Sequence, residues 1–399
     1  MKIEIETGRL STIFIFFLLF PHFKTPYIEI VPLLDMIFNI LRVISTFTIL
    51  CLIAFNADAR TDDNSSWREN LLLYLGYFGS ILISTIVNRA NTYLFIILML
   101  SQLSALIICQ YYASVSPLNL IRAIFLVGEL YVYINFITLL LYPEGMWRDW
   151  KNWTDNWFLG FKNQFIPYFL VFFVAALLRM RFVGGYLRSV LLIIIMMISL
   201  ILADSSTSIV IFVLMVMALV LTQRSKGGVI NAVSLSIINV MAFILVVILR
   251  SNVMFSFIFD IFLNKSRSMT LRTGLWDEIM NLIRERPLLG YGYRSGKETS
   301  SFLGQGTWAV HAHNMVIECL FIGGVFCLSF FLIINIRLVN RLYCNRIYYL
   351  AQVLAICLFG LNIGYLTEAY NLGIVFATYG LVGTVDYLKD IESIYESKM

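Results

Sequence analysis

Twelve apolar stretches, most of them long enough to cross a lipid bilayer, dominate the sequence and leave little choice of fold. They fall near 10–23, 33–55, 70–87, 92–112, 117–141, 165–180, 186–203, 206–221, 229–249, 312–335, 347–366 and 370–388. Crossing about 30 Å of hydrocarbon takes roughly 20 apolar residues. The first stretch is short and runs into Pro21, which marks it as a half-span. Lipid offers no partner to an open sheet edge, so the chain is expected to be an all-α polytopic membrane protein of about twelve transmembrane helices. Composition agrees: 60% of the 399 residues are hydrophobic and only 13% charged, with a mean hydropathy of +0.83. Soluble domains run nearer a quarter charged, so a soluble enzyme and a disordered chain are excluded. The net charge of +5 comes with no block of like charge, and nucleic acid is excluded as a partner. Membrane lipid is the implied surrounding.

The basic residues set the orientation. With both termini cytoplasmic, fourteen Lys and Arg fall on the inner side, against five (Lys24, Arg89, Arg148, Lys151 and Lys162) in short outer loops. That asymmetry is the positive-inside pattern. Arg337, Arg341 and Arg346 hold the connection after the tenth stretch inside, so the long loop at 250–311 faces outward. The expected organisation is a single helical domain over 1–399 with that loop and its amphipathic helices inserted between spans. The N-terminus lacks a small-residue cleavage site after Phe20 and is read as retained. All six cysteines lie in spans or on the inner side, so no disulfide framework is expected. No CxxC spacing occurs, and a zinc or iron–sulfur site is not expected.

Polar residues collect in the outer loop. Asn252, Ser256, Asp260 and Asn264 are spaced by four, which reads as a helix lying on the membrane surface or as an extension of the preceding span. The next segment, TLRTGLWDEIMNLIRERPLLGYGYRSG, predicts a helix that starts near Thr270 or Thr273 and stops before Pro287. At about 100° per residue, Arg272, Trp276, Ile279 and Ile283 share one side, and Asp277, Glu278, Asn281, Arg284 and Glu285 the other. Arg272 is thus a permanent cation on the apolar face. Such an Arg near a helix N-terminus suits phosphate oxygens, although an Arg that pairs with a carboxylate or snorkels to the interface fits the spacing too. After Pro287 the glycines at 290 and 292 read as a tight turn, with Arg294 a weaker anion candidate.

Two of the three histidines, His311 and His313, mark the return to the membrane. Their spacing of two predicts different sides of a helix and argues against a shared metal. A neutral His at the interface is a candidate general base, although a His hydrogen-bonded at a helix N-terminus is the commoner case. Asn314 and Glu318 share a face just inside the span, and an ionisable group there suggests an orienting role.

Together, RTGLWDEIMNLIRERPLLGYG and, about twenty residues later, HAHNMVIECLFIGG resemble the signature region of the O-antigen ligase/polymerase superfamily. The resemblance rests on Arg272, Trp276, Pro287, Gly290, Gly292, His313, Asn314 and Gly324, in that order, over about 60 residues. It implies a glycosyltransferase-C-like membrane enzyme of the bacterial inner membrane, working on its periplasmic side. The donor it implies is a glycan linked to undecaprenyl diphosphate. His313 would take the proton of an acceptor hydroxyl, and Arg272 would hold the departing diphosphate. Arg294, Arg250, Asn314, Glu318 and Trp276 would serve substrate binding; no metal, nucleotide or other cofactor is called for. Trp276, Tyr291, Tyr293 and Trp308 are candidates to stack on sugar faces or to anchor the loop at the interface. The implied task is polymerisation of surface-polysaccharide repeat units, with ligation of a finished chain to lipid A-core as the alternative. A chain-length regulator and a flippase are the implied protein partners. The sequence departs from the family in two places. ADSSTSIV, containing Asp204, stands where relatives carry a Ser-Arg pair, which leaves Arg250, Arg267 or Arg294 to supply the second cation. Cys327 replaces the second glycine of a Gly-x-x-Gly. A flippase or transporter would need paired charges deep in several spans, whereas Asp35, Arg42, Arg122, Glu129 and Glu318 are few and mostly near helix ends.

Overall fold

The computed structural model describes residues 2–55, 65–149, 154–225, 228–249, 267–304, 310–345, 348–366, 368–369, 373–383, 385 and 388–389. For 2–9, 65–69, 149 and 267–273 it describes the backbone alone. Among these residues the chain is helical almost throughout. The helices are α1 (Lys2–Leu19), α2 (Pro26–Ile30), α3 (Pro32–Phe55), α4 (Ser65–Val87), α5 (Thr92–Val115), α6 (Pro117–Leu141), α7 (Phe165–Phe182) and α8 (Tyr186–Leu202). They continue with α9 (Ser206–Arg224), α10 (Ala232–Phe243), α11 (Arg267–Glu285), α12 (Gly296–Leu303), α13 (Met315–Cys344), α14 (Tyr349–Gly364) and α15 (Gly373–Val382).

Seven apolar helices reach 18 residues or more, and five shorter ones cover the remaining predicted stretches. This is a multi-pass, all-α membrane architecture. The bundle is apolar outside as well as inside, as a lipid solvent allows. Outward side chains such as Val43 (70% exposed) and Phe47 (69%) are apolar, and the core is apolar too. α7 is the central helix, with Phe165, Phe169, Phe172 and Phe173 all buried. The buried apolar residues form one cluster that runs from Ile15 to Leu388.

One small element escapes the helical reading. Between α6 and α7 lies an antiparallel meander of β1 (Trp147–Asp149), β2 (Thr154–Trp157) and β3 (Gly160–Phe161). Trp147 pairs with Asn156, and Trp157 with Gly160. The Trp157 indole donates to the Tyr142 carbonyl at 2.7 Å, which ties the meander to the end of α6.

The second departure is a break in α13. Gly324 sits at φ 65°, ψ −161° inside the helix, a conformation open to glycine and closed to most other residues. The turn at 287–292 enters the break. The amides of Tyr291 and Gly292 donate to the carbonyls of Phe321 and Ile322 at 2.7 and 3.1 Å, and the Val325 amide donates to the Pro287 carbonyl at 2.8 Å. Backbone groups freed by a broken helix must find partners in a membrane protein, and this turn provides them. On its other side the turn meets the end of α4, where Tyr293 N–H donates to Thr85 Oγ1 at 2.9 Å and Asn88 Nδ2 to the Gly290 carbonyl at 3.1 Å. Gly290 and Gly292 both adopt positive φ. A Cβ on Gly290 would lie 2.5 Å from the Phe321 carbonyl oxygen, and one on Gly292 2.7 Å from Thr85 Cα.

Candidate functional site

α11 lays its apolar face on the bundle as expected: Leu275, Trp276, Ile279 and Ile283 are buried, while Asp277, Asn281, Arg284 and Glu285 are exposed. The helix begins at Arg267, about one to two turns earlier than the Thr270 or Thr273 expected from capping. Arg272 therefore lies inside the helix rather than at its N-terminus, and its side chain is outside the described residues. Arg250, Trp308 and the stripe at 252–264 are outside them as well.

The Trp276 indole is buried, and its N–H donates to the Ala312 carbonyl at 2.8 Å. That contact joins α11 to the histidine segment. Glu318, one turn into α13 and buried, accepts the Ala312 amide at 2.8 Å. The Asn314 side chain caps α13 by accepting from the amides of Val316 and Ile317 at 3.0 and 3.1 Å. Its Nδ2 is buried without a hydrogen-bond partner. The Met315 amide donates to the Tyr365 carbonyl at 2.9 Å. Held at so many points, the backbone between 311 and 315 carries a conformation it would not choose: His313 has φ 48°. A strained non-glycine residue over-determined by its surroundings is a recurrent mark of functional sites.

The two histidines do not sit on opposite sides of a helix. The helix starts only at Met315, and the bend at His313 brings the imidazoles together with centroids 4.1 Å apart. Both reach Glu368, a residue that no motif or spacing singles out. His311 Nε2 is 3.1 Å and His313 Nδ1 3.0 Å from Glu368 Oε2. His311 Nδ1 accepts the His313 amide at 3.0 Å, so the proton of a neutral His311 is on Nε2, directed at Glu368. By the same assignment His313 donates Nδ1–H to Glu368, and its lone pair is on Nε2. Burial alone would raise the Glu368 carboxyl, but hydrogen bonds from both histidines and their nearby charge outweigh it and hold the group well below the usual carboxylate range. The three donor atoms lie within 4.8 Å of one another, close enough to share one metal ion as well as hydrogen bonds.

Arg294 is half-buried, its guanidinium 4.4 Å over the Phe302 ring and 3.5 Å from the Tyr291 carbonyl. Tyr291 stacks on Phe321 at 5.8 Å and donates its hydroxyl to Glu285 at 3.0 Å. At the turn 203–206, where Asp204 adopts φ 49°, a cation does arrive, from an unexpected place. Lys162, just before α7, donates to the Asp204 carbonyl at 3.0 Å and lies 3.7 Å from its carboxylate.

No curated protein matches the chain. A family model described as O-antigen ligase matches residues 191–332. That span runs from α8 into α13 and includes α11, the turn at 287–292 and both histidines. Over residues 191–332 this multi-pass membrane protein is thus similar to the O-antigen ligase family, the superfamily whose signature its Arg272-to-Gly324 segment resembles.

Proposed function

We propose that the protein polymerises surface-polysaccharide repeat units on the outer face of the bacterial inner membrane. The growing glycan moves from undecaprenyl diphosphate onto a sugar hydroxyl of the next lipid-linked repeat unit. The acceptor oxygen attacks the anomeric carbon, the bond from that carbon to the diphosphate oxygen breaks, and undecaprenyl diphosphate departs. His313 Nε2 takes the hydroxyl proton as the new bond forms. Direct displacement inverts the anomeric centre.

The observation that carries this reading is the bond from His313 Nδ1 to Glu368. A buried carboxylate on one ring nitrogen fixes the tautomer that leaves the other basic, and it stabilises the imidazolium once the proton arrives. Glu318 and Trp276 act on the same segment through the two backbone atoms of Ala312; they are positioning residues. The Trp276 ring is spent on this contact and not on a sugar. Arg272, with Arg294 or Arg250, neutralises the leaving diphosphate, as preorganised cations do for developing charge. Lys162 stands at the turn where relatives carry their second arginine.

His313→Ala tests the proposal in the cell's surface polysaccharide. Single repeat units on lipid A support the polymerase. Long chains stranded on undecaprenyl diphosphate assign the protein to ligation instead. Unaltered polysaccharide overturns both.

A further inference from the structure

Three arginines on three successive helices converge at the end of the bundle away from His313. Tyr168, early in α7, donates its hydroxyl to the Lys24 carbonyl at 3.0 Å, and the Gly373 end of α15 abuts His22. The start of α7 is therefore level with the loop that carries Glu368. Arg179 comes eleven residues after Tyr168, roughly 16 Å further along the helix axis. It lies in the last turn of α7, Arg188 in the first turn of α8 and Arg122 in the second turn of α6. By the distribution of Lys and Arg in the sequence this is the cytoplasmic side.

The cluster has more cation than it can use internally. Arg188 is consumed by Glu129, which it grips through both nitrogens of its fork. The other two make hydrogen bonds only to neutral groups among the described residues, with the Glu129 carboxylate also near enough to attract Arg179. Arg179 donates to the Gly185 carbonyl at 2.8 Å and to Ser189 Oγ at 3.2 Å, and Arg122 donates to Asn119 Oδ1 at 2.9 Å. Arg179 lies 4.5 Å over the Phe125 ring, with Arg188 5.6 Å from the same ring. Arg122 and Arg188 are both near enough to repel Arg179. Three guanidiniums against one carboxylate leave two positive charges at the rim of a membrane helix bundle. Such a concentration is costly in that setting unless an anion is available. Beside it, Tyr186 and Leu187 are 71% and 81% exposed, an apolar surface fit for an acyl chain.

We propose that Arg122 and Arg179 hold the phosphodiester of an anionic phospholipid of the cytoplasmic leaflet, whose acyl chain lies along the start of α8. Guanidinium forks match phosphate oxygens in pairs, and basic pockets between spans on this face suit anionic headgroups.

The test uses the full-length protein in a neutral detergent. Its thermal stability is followed as phosphatidylglycerol, cardiolipin, phosphatidylcholine or inorganic phosphate is added, and co-purified phospholipid is measured by native mass spectrometry. Anionic lipid should raise the wild-type transition temperature while phosphatidylcholine and inorganic phosphate do not. The double variant R122Q/R179Q should lose most co-purified anionic lipid and bind it roughly 30-fold more weakly. R224Q removes an exposed arginine in the last turn of α9, on the same side, and should bind like wild type. Equal stabilisation by phosphatidylcholine, or an equal loss in R224Q, would overturn the proposal, since either makes the effect one of lipid or charge in general. Inorganic phosphate giving the same shift as lipid would overturn it too, because the acyl chain would then contribute nothing. If the double variant does not fold, the lipid series on the wild type still decides.

Discussion

Glu368 Oε2 lies 3.0 Å from His313 Nδ1 and 3.1 Å from His311 Nε2, so one carboxylate oxygen receives both rings across the gap between two spans. Several outcomes rest on that junction.

His313→Ala should lower glycan transfer by about 10²–10⁴-fold, and Glu368→Gln by a smaller but still large factor. Because the pair acts as a unit, the double variant should be little worse than His313→Ala alone. Transfer assayed with purified protein and lipid-linked substrate gives the cycle. Independent, multiplicative losses would show that Glu368 does not act through His313.

The same junction predicts a pH signature. The histidines hold Glu368 ionised far below neutrality, so the carboxylate itself does not titrate in the working range. By reciprocity, its charge favours protonated imidazole, and the base must be neutral to act. The acid limb of the pH–rate profile should therefore move to lower pH in Glu368→Gln. A limb that stays in place, or moves up, would contradict the assigned tautomer.

Hydrogen bonding and metal ligation make opposite forecasts for these three side chains. If Glu368 is a hydrogen-bond acceptor, as proposed, prolonged chelation should leave transfer unchanged. Activity lost on chelation and restored by a divalent cation would make the cluster a metal centre.

Trp276→Phe keeps the buried ring and removes the donor to the Ala312 carbonyl. Leaving that acceptor unsatisfied should cost about 1–3 kcal/mol. The loss falls on the segment that holds His313, so transfer should decline more than thermal stability does. Parallel declines would reduce Trp276 to packing.

Gly324→Ala forces a side chain against the Leu288 carbonyl at a positive φ, and folded protein should fall sharply in yield. Gly79→Ala is the matched control: nothing lies within 4 Å of its Cβ position, and alanine there favours the helix by up to about 1 kcal/mol. Equal yields of the two variants would mean that the break in α13 is dispensable.

The parts legible in the sequence are those with a period or a strong local cue. Twelve apolar stretches became twelve apolar helices, and the buried stripe of α11 was readable from its 3.6-residue spacing. Asn314 and Glu318 were recognisable as polar residues at the mouth of a span. The geometry of His311 and His313 was not, because spacing argues about faces only inside a helix and the bend at His313 precedes α13. Glu368 was hidden for another reason: it lies 55 residues from His313, and only the topology of α13 and α14 returns it to the same membrane face. The β-meander has strands of two to four residues, too short for alternation to register. Gly324 entered the sequence reading only as part of the family signature, because nothing local signals that a distant turn will enter the helix there.

The break at Gly324 also bears on how the chain is assembled during synthesis. The residues that satisfy it, 287–292, leave the ribosome before α13 does. The amides of Tyr291 and Gly292 have no helix carbonyls to meet until the span arrives. Insertion of α13 is thereby coupled to the folding of that turn, and its first turns can settle only once the turn is in place. Until then α4 lacks its partner as well, since α13 packs along it and the turn bonds to Thr85 and Asn88 at its end.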